Sequence, residues 1–281
     1  MRALRNTLLR GAAGALLLLI AQATHAAPSA APASTVRSTP LPPPGARFSY
    51  QLGGAYRPPA GVRIVDRDRH DAPARGHYNI CYLNAFQAQP DELRWWRRHH
   101  PGLLLRRHGH LVVDADWGEA LLDVGTAARR RAVARVEFGW IDGCARHGFQ
   151  AIEADNLDSY TRSHHLLSAA DALAFARLLI GRAHRDGLAI AQKNAAELSS
   201  AAHRSGFDFA VAEECQVYRE CGSYTRVYGR EVIEIEYTDE PAAAFAQACR
   251  RRGRSISITR RDRDLLPAGS TGHVEQWCPA G

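Results

Sequence analysis

The sequence predicts a single α/β domain, a closed (β/α)8 TIM-type barrel over residues 48–281, and three observations lead there. Short apolar runs alternate with longer amphipathic segments from Phe48 onward, the pattern of repeated βα units. That stretch holds about 234 residues, a length that suits one such barrel. Neither a GxGxxG nor a Walker sequence follows the first strand, which argues against a doubly wound nucleotide-binding sheet.

Taken in order, residues 1–26 join a basic start (Arg2, Arg5, Arg10) to an apolar run from Ala12 to Ala21 and small residues at Thr24 and Ala26. This is the layout of a cleaved signal peptide, and the run is too short to span a bilayer. The mature chain is therefore expected to be secreted or periplasmic, with no integral membrane segment. Residues 27–47 are rich in Pro, Ala, Ser and Thr and read as a disordered linker.

Strands are expected at Phe48 to Leu52, Val62 to Asp66, Tyr78 to Ala85, Phe149 to Asp155, Leu188 to Lys193, Phe207 to Ala212, Glu231 to Tyr237 and Ser255 to Ile258. Helices are expected at Asp91 to His99, Thr126 to His147, Ser168 to Arg185 and Asp239 to Arg252. Ser168 with Asp171 three residues on is a near match to a capping box, and Pro90 and Pro241 suit first turns. Leu103 to Gly125 reads as a long loop with a short strand at Ala120 to Val124. Should that strand enter the barrel, Phe48 to Leu52 would lie outside it.

The formal charge of +7 falls to +4 without the three arginines of residues 1–26. With no zinc finger, RNP or Gly-rich phosphate motif beside it, that excess does not indicate a nucleic-acid partner. All six cysteines lie beyond residue 80, and export makes disulfides plausible. Only Cys215 and Cys221 are close enough for a specific pairing, a small loop staple. Cys81, inside an apolar strand, is expected to be a buried thiol or bonded to another strand. The thirteen histidines form no HExxH set and the cysteines no CxxC set, so no metal site and no cofactor are expected. No GxSxG elbow marks a serine nucleophile.

Acids collect where apolar strands stop, which in a parallel α/β chain is the end that carries chemistry. Glu153, Asp155 and Asp158 close one strand, Glu213 and Glu214 another, and Glu234 and Glu236 lie in a third. Strand alternation lets only one of Glu213 and Glu214 face a central pocket. Asp155 and Glu213 are the catalytic candidates: two carboxylates across a cleft can hydrolyse a glycosidic bond, one as acid and the other as nucleophile or base. Crowded acids also favour a cationic, amino-sugar substrate. Lys193 is the single lysine beside 35 arginines; a compact ammonium there suits a sugar ligand or a charge holding a carboxylate ionised.

The segments EADNLDSY (Glu153 to Tyr160), QKNAAEL (Gln192 to Leu198), FDFAVAEECQVYREC (Phe207 to Cys221) and VIEIEY (Val232 to Tyr237) resemble successive motifs of the endo-α-1,4-polygalactosaminidase family, glycoside hydrolase family 114. CYLNAF (Cys81 to Phe86) and WGEALLD (Trp117 to Asp123) resemble its earlier motifs more loosely: the proline usual after the tryptophan is missing, and Ala154 stands where proline is common. The resemblance implies a (β/α)8 barrel that cleaves α-1,4-linked, partly N-acetylated galactosamine polysaccharide. Asp155 would be nucleophile and Glu213 acid/base, in an order similar to α-galactosidase-type barrels that hints at retention. Asn156, Asp158, Glu153, Asp123, Glu236, Lys193 and Tyr50 are the expected substrate contacts.

The rival reading is a non-catalytic secreted polysaccharide-binding barrel. It would keep Tyr50, Trp117 and Tyr237 for stacking on sugars without depending on Asp155. A metal-dependent polysaccharide deacetylase is a third possibility.

Overall fold

The computed structural model describes residues 39–279. The expected signal peptide and the linker residues up to 38 lie outside them. Eight parallel strands follow one another round a single sheet: β1 (Arg47–Gln51), β2 (Val62–Asp68), β3 (Tyr78–Leu83), β4 (Ala151–Ala154), β5 (Ala189–Lys193), β6 (Phe209–Glu213), β7 (Val232–Tyr237) and β8 (Ser257–Arg261). All eight coincide with the expected runs to within a few residues. A ninth strand, β9 (Glu275–Trp277), lies antiparallel on β8. Between β1 and the β8–β9 edge there is no backbone ladder among the described residues, and side chains bridge the seam. Ser49 donates to Glu275 at 2.6 Å, the Trp277 indole donates to the Phe48 carbonyl at 2.8 Å, and Arg261 reaches the Tyr50 carbonyl.

Alternation along the strands fills the barrel. Phe48, Tyr50, Ile64, Ile80, Phe209, Val211, Ile233 and Ile235 point inward and pack together, while Ala151, Ala189 and Ala191 leave room for the larger rings. Their outward neighbours meet the helices α1 (Leu93–His99), α2 (Ala127–His147), α3 (Ala169–Arg185), α4 (Ser199–Ser205), α5 (Cys221–Tyr228) and α6 (Ala242–Arg252). Ser168 and Asp171 form the full capping box at the start of α3, worth about 1 kcal/mol. Gly148 ends α2 with φ 92°, a left-handed turn that a Cβ would strain.

Cys215 and Cys221 are bonded, as expected. Cys81 corrects the sequence reading: it is neither free nor bonded to a strand, but joined to Cys144 of α2. Its neighbours Ile80 and Tyr82 face inward, so alternation turns Cys81 out toward the helix layer. Cys249 bonds Cys278 and pins the C-terminal segment beneath α6.

The chain between β3 and α2 is the long insertion expected, and its short strand stands outside the barrel sheet. Glu119–Leu121 is a strand, but it pairs antiparallel with Gln87–Ala88 and Val113–Asp114 in a small separate sheet. Phe48 therefore keeps its place in the barrel. This insertion carries Asp114, Asp116, Trp117 and Glu119 to the barrel mouth. No helix among the described residues is long and apolar enough to cross a membrane.

Candidate active site

A cleft of about 450 Å³ opens at the carboxyl ends of the parallel strands, and Asp155, Lys193, Glu213 and Tyr237 line it. β5 and β6 end in Lys193 and Glu213, Asp155 directly follows β4, and the residue after each of the three turns into the left-handed region: Asn156 at φ 68°, Asn194 at φ 48° and Glu214 at φ 56°. Asn tolerates that region, whereas Glu214 pays in strain. The turn directs each preceding side chain up into the cleft.

Lys193 is the hub. Its side chain is 2 % exposed, with Nζ 2.9 Å from Glu153, 3.3 Å from Asp155 and 3.3 Å from Glu213. It also donates to the Tyr50 hydroxyl at 3.1 Å. Burial alone would drive its proton off, but Asp155, Glu153 and Glu213 hold the ammonium well above its ordinary range.

The two cleft carboxylates have matching cradles. Asp155 accepts from the Tyr82 hydroxyl at 2.7 Å and from the Asn156 backbone N–H at 2.7 Å. Glu213 accepts from the Tyr237 hydroxyl and from Asn194 Nδ2 at 2.9 Å, while Asn194 Oδ1 takes the Glu213 N–H at 2.9 Å. The electrostatics then separate them. Burial raises Asp155; Lys193 opposes, and Glu213 and Glu153 push further upward. Burial raises Glu213 too, but Lys193, Tyr237 and Asn194 outweigh it and leave the group below its ordinary range. The side chains are 17 % and 22 % exposed, so both remain open to a ligand.

The remaining expected residues divide by position. Asn156 and Asp158 line the cleft; Asn156 bonds Asn84 at 3.0 Å, and Asp158 is tied to Arg162 at 2.8 Å. Tyr50 lines the floor of the cleft but is 1 % exposed, so it offers no stacking face, and it donates at 2.7 Å to Glu153, which lies sealed beneath. Asp123 and Glu236 are not brought to the cleft. Asp123 pairs with Arg129 at 2.7 Å near the start of α2. Glu236 points out of the barrel because its neighbours Ile235 and Tyr237 point in. It accepts the Gln216 N–H at 3.1 Å and is raised to about 8 by burial and by Glu234. Glu214 also turns aside, to Arg263 at 2.6 Å.

Several site residues escaped the sequence reading. Tyr82 passes for core, although alternation with Ile80 aims it inward. Asn194 looks like a turn residue. Glu119 opens a three-residue strand too short to show a period: Asn84 donates to its Oε2 at 2.7 Å, while Oε1 has no partner among the described residues and is not sealed. Burial raises Glu119 to about 7, with Asp155 and Asp114 adding to the shift against the Asn84 bond. Beside it Trp117 is 59 % exposed. The group of described residues closest to metal-ligand geometry is Cys215, Cys221 and Glu234, and its two sulfurs are already joined to each other.

Residues 26–281 match the sequence profile of glycoside-hydrolase family GH114. No curated protein matches the chain by sequence. Among solved structures, the fold is similar to Ega3 of Aspergillus fumigatus in complex with galactosamine. That match has TM-score 0.68 and 21 % identity, covering 87 % of this chain and 99 % of Ega3. It is also similar to the glycoside hydrolase domain of PelA from Pseudomonas aeruginosa, at TM-score 0.55 and 15 % identity, covering 80 % of this chain and 98 % of that domain.

Proposed function

The chain belongs to glycoside-hydrolase family GH114, and on that footing we propose that it is a secreted or periplasmic enzyme cleaving α-1,4-linked, partly N-acetylated galactosamine polysaccharide. The observation that carries this reading is the placing of Asp155 and Glu213 on either side of one buried ammonium, open to a cleft. Each has an oxygen 3.3 Å from Lys193, so those oxygens are separated by no more than twice that distance. Retaining sites hold their carboxyl groups about 5–5.5 Å apart and inverting sites about 6.5–9.5 Å. That ceiling, twice 3.3 Å or 6.6 Å, accommodates the spacing of a retaining pair.

Asp155 is then the nucleophile and Glu213 the acid/base, with Tyr82 and Tyr237 orienting them. In the empty cleft Asp155 is the more reluctant of the two to ionise. A cationic sugar beside it reverses this order, because an ammonium lowers Asp155 while exclusion of water raises Glu213. Ega3, whose structure is known with galactosamine, supports this substrate class, as do the three disulfides the oxidising compartment. The direct test is reducing-end release from galactosamine polymer, with chitosan and α-galactosides as controls. Release confined to the galactosamine polymer is expected; none from it would sink the proposal.

The ammonium also needs a receiver, and the unpartnered Oε1 of Glu119, beside the exposed Trp117 face, provides one. Glu119→Gln should lower kcat/KM on deacetylated oligosaccharide about ten-fold or more, the loss of one charge-assisted hydrogen bond, while N-acetylated oligosaccharide is turned over as before. Ionised above about 7, Glu119 favours the cationic sugar there and loses that preference as pH falls through this value. The Gln variant should lack the pH dependence. An equal loss on both oligosaccharides would count against this role.

A further inference from the structure

We propose that Asp66 is a buried carboxylic acid sharing its proton with Glu153 beneath the cleft, and that this pair sets the charge available to Asp155 and Glu213 through Lys193. Asp66 stands on β2, two residues beyond the inward-facing Ile64, and is 0 % exposed. Among the described residues neither of its carboxyl oxygens has a donor, and Glu153 Oε2, also sealed, has none. Both carboxyls face the barrel interior at neighbouring levels, since Asp66 pairs with Ile80 on β3 and Tyr82, two residues further on, pairs with Glu153 on β4; Glu153 strengthens the hold of Asp66 on its proton.

Two carboxylates cannot hydrogen-bond without a proton between them, and a sealed carboxylate with no donor is costly. One proton on Asp66 removes the difficulty: its O–H donates to Glu153 Oε2. Glu153 Oε1 already accepts from the Tyr50 hydroxyl at 2.7 Å and from Lys193 at 2.9 Å. Besides Glu153 and Lys193, Asp155 acts on Asp66, and Tyr50 is its pairing neighbour on β1. Burial and Glu153 both push the Asp66 proton toward retention, and Lys193 does not offset them.

The charge arrangement follows. Glu153, receiving three donors, is the ion-pair partner of Lys193 at 2.9 Å and occupies that cation. Asp155 and Glu213 then have no spare cation beneath them, so the pair keeps one proton between its two members. Hydrolysis by an acid and a nucleophile needs that state. Were Asp66 ionised instead, a second negative charge below would hold protons on both cleft groups. Asp66 is thus a positioning residue that acts through Glu153.

The experiment follows the aspartate side-chain carboxyl carbons by NMR in γ-13C-Asp-labelled protein, titrated through neutral pH. A resonance with the chemical shift of a protonated acid should persist through neutral pH, apart from any signal of Asp155, and vanish in Asp66→Asn or Asp66→Ser. Both replacements supply a neutral donor, so either one that folds assigns the signal. Asp66→Asn should retain kcat/KM within about three-fold with an unmoved pH profile. Asp66→Ala, which deprives Glu153 of a donor, and Glu153→Gln should both move the alkaline limb to lower pH by about one unit, because Lys193 is then less fully cancelled. An Asp66 resonance ionised at neutral pH, or an Asp66→Asn profile shifted as far as that of Asp66→Ala, would overturn the proposal. The carbon spectrum needs no substrate, so its outcome is separate from that of the polysaccharide assay.

Discussion

Asp155→Asn and Glu213→Gln are each expected to lower polymer cleavage by about 10³- to 10⁴-fold while leaving the unfolding midpoint close to wild type. Both amides fill the carboxylate's volume and still accept from Tyr82 or Tyr237, so the cradle survives while the reacting oxygen does not. The two losses should differ in kind. An aryl glycoside with a good leaving group needs no protonation, so Glu213→Gln should still release the aryl group from it and be accelerated by added azide. Asp155→Asn has nothing to attack with and should do neither. Wild-type turnover by either variant, or rescue of the wrong one, would remove the assignment.

Lys193→Met should have the larger structural effect. It leaves Glu153, Asp155 and Glu213 without the one cation they share, and removing a single partner from a buried ionic group costs about 3–5 kcal/mol. Denaturant unfolding at neutral pH should show that loss, and cleavage should disappear with it. The sign with pH is fixed. Without Lys193 the three acids hold their protons more tightly than an unfolded chain would, so part of the lost stability returns as pH falls and they are neutralised. Lys193→Arg is not expected to rescue, because a planar fork cannot take the place of a point charge lying 2.9 to 3.3 Å from three carboxylates in a site this closed. Unfolding curves of Lys193→Met that match wild type at neutral pH would refute the hub role.

What could be read in advance follows from physical pattern. The eight barrel strands stood out because strands covered on both faces are short apolar runs. Asp155, Lys193 and Glu213 stood out because each ends such a run with a charge. The helices α4 and α5 did not, being too short to repeat an apolar face; α5, CGSYTRVY, also contains a glycine and β-branched residues. In α3 the buried face is carried by Phe175, Ala176 and Leu179, whereas Leu173 and Leu178 are only partly buried. Glu236 shows the limit of collecting acids by strand, since its inward neighbour Tyr237 already assigned it to the outer face. Tyr82 and Asn194 were invisible because a phenol and a turn asparagine look structural until the carboxylate each one holds is in place. The Asp66–Glu153 pair needed the closed barrel: nothing in sequence joins residues that meet only across β2 and β4.

The side-chain seam between β1 and the β8–β9 edge also constrains how the molecule assembles. Its bridges join the two ends of the domain, Ser49 and Glu275 being 226 residues apart. Contacts of such separation form late, since the entropy of closing so long a loop must be met before they contribute. A nascent chain can pair β1 through β7 in order as each emerges, but the ring stays open until Glu275 and Trp277 arrive and Cys278 can bond Cys249. A barrel cut short before β9 would hold its strands but not its circumference, and the mouth that sets Asp155 opposite Glu213 would have no fixed diameter.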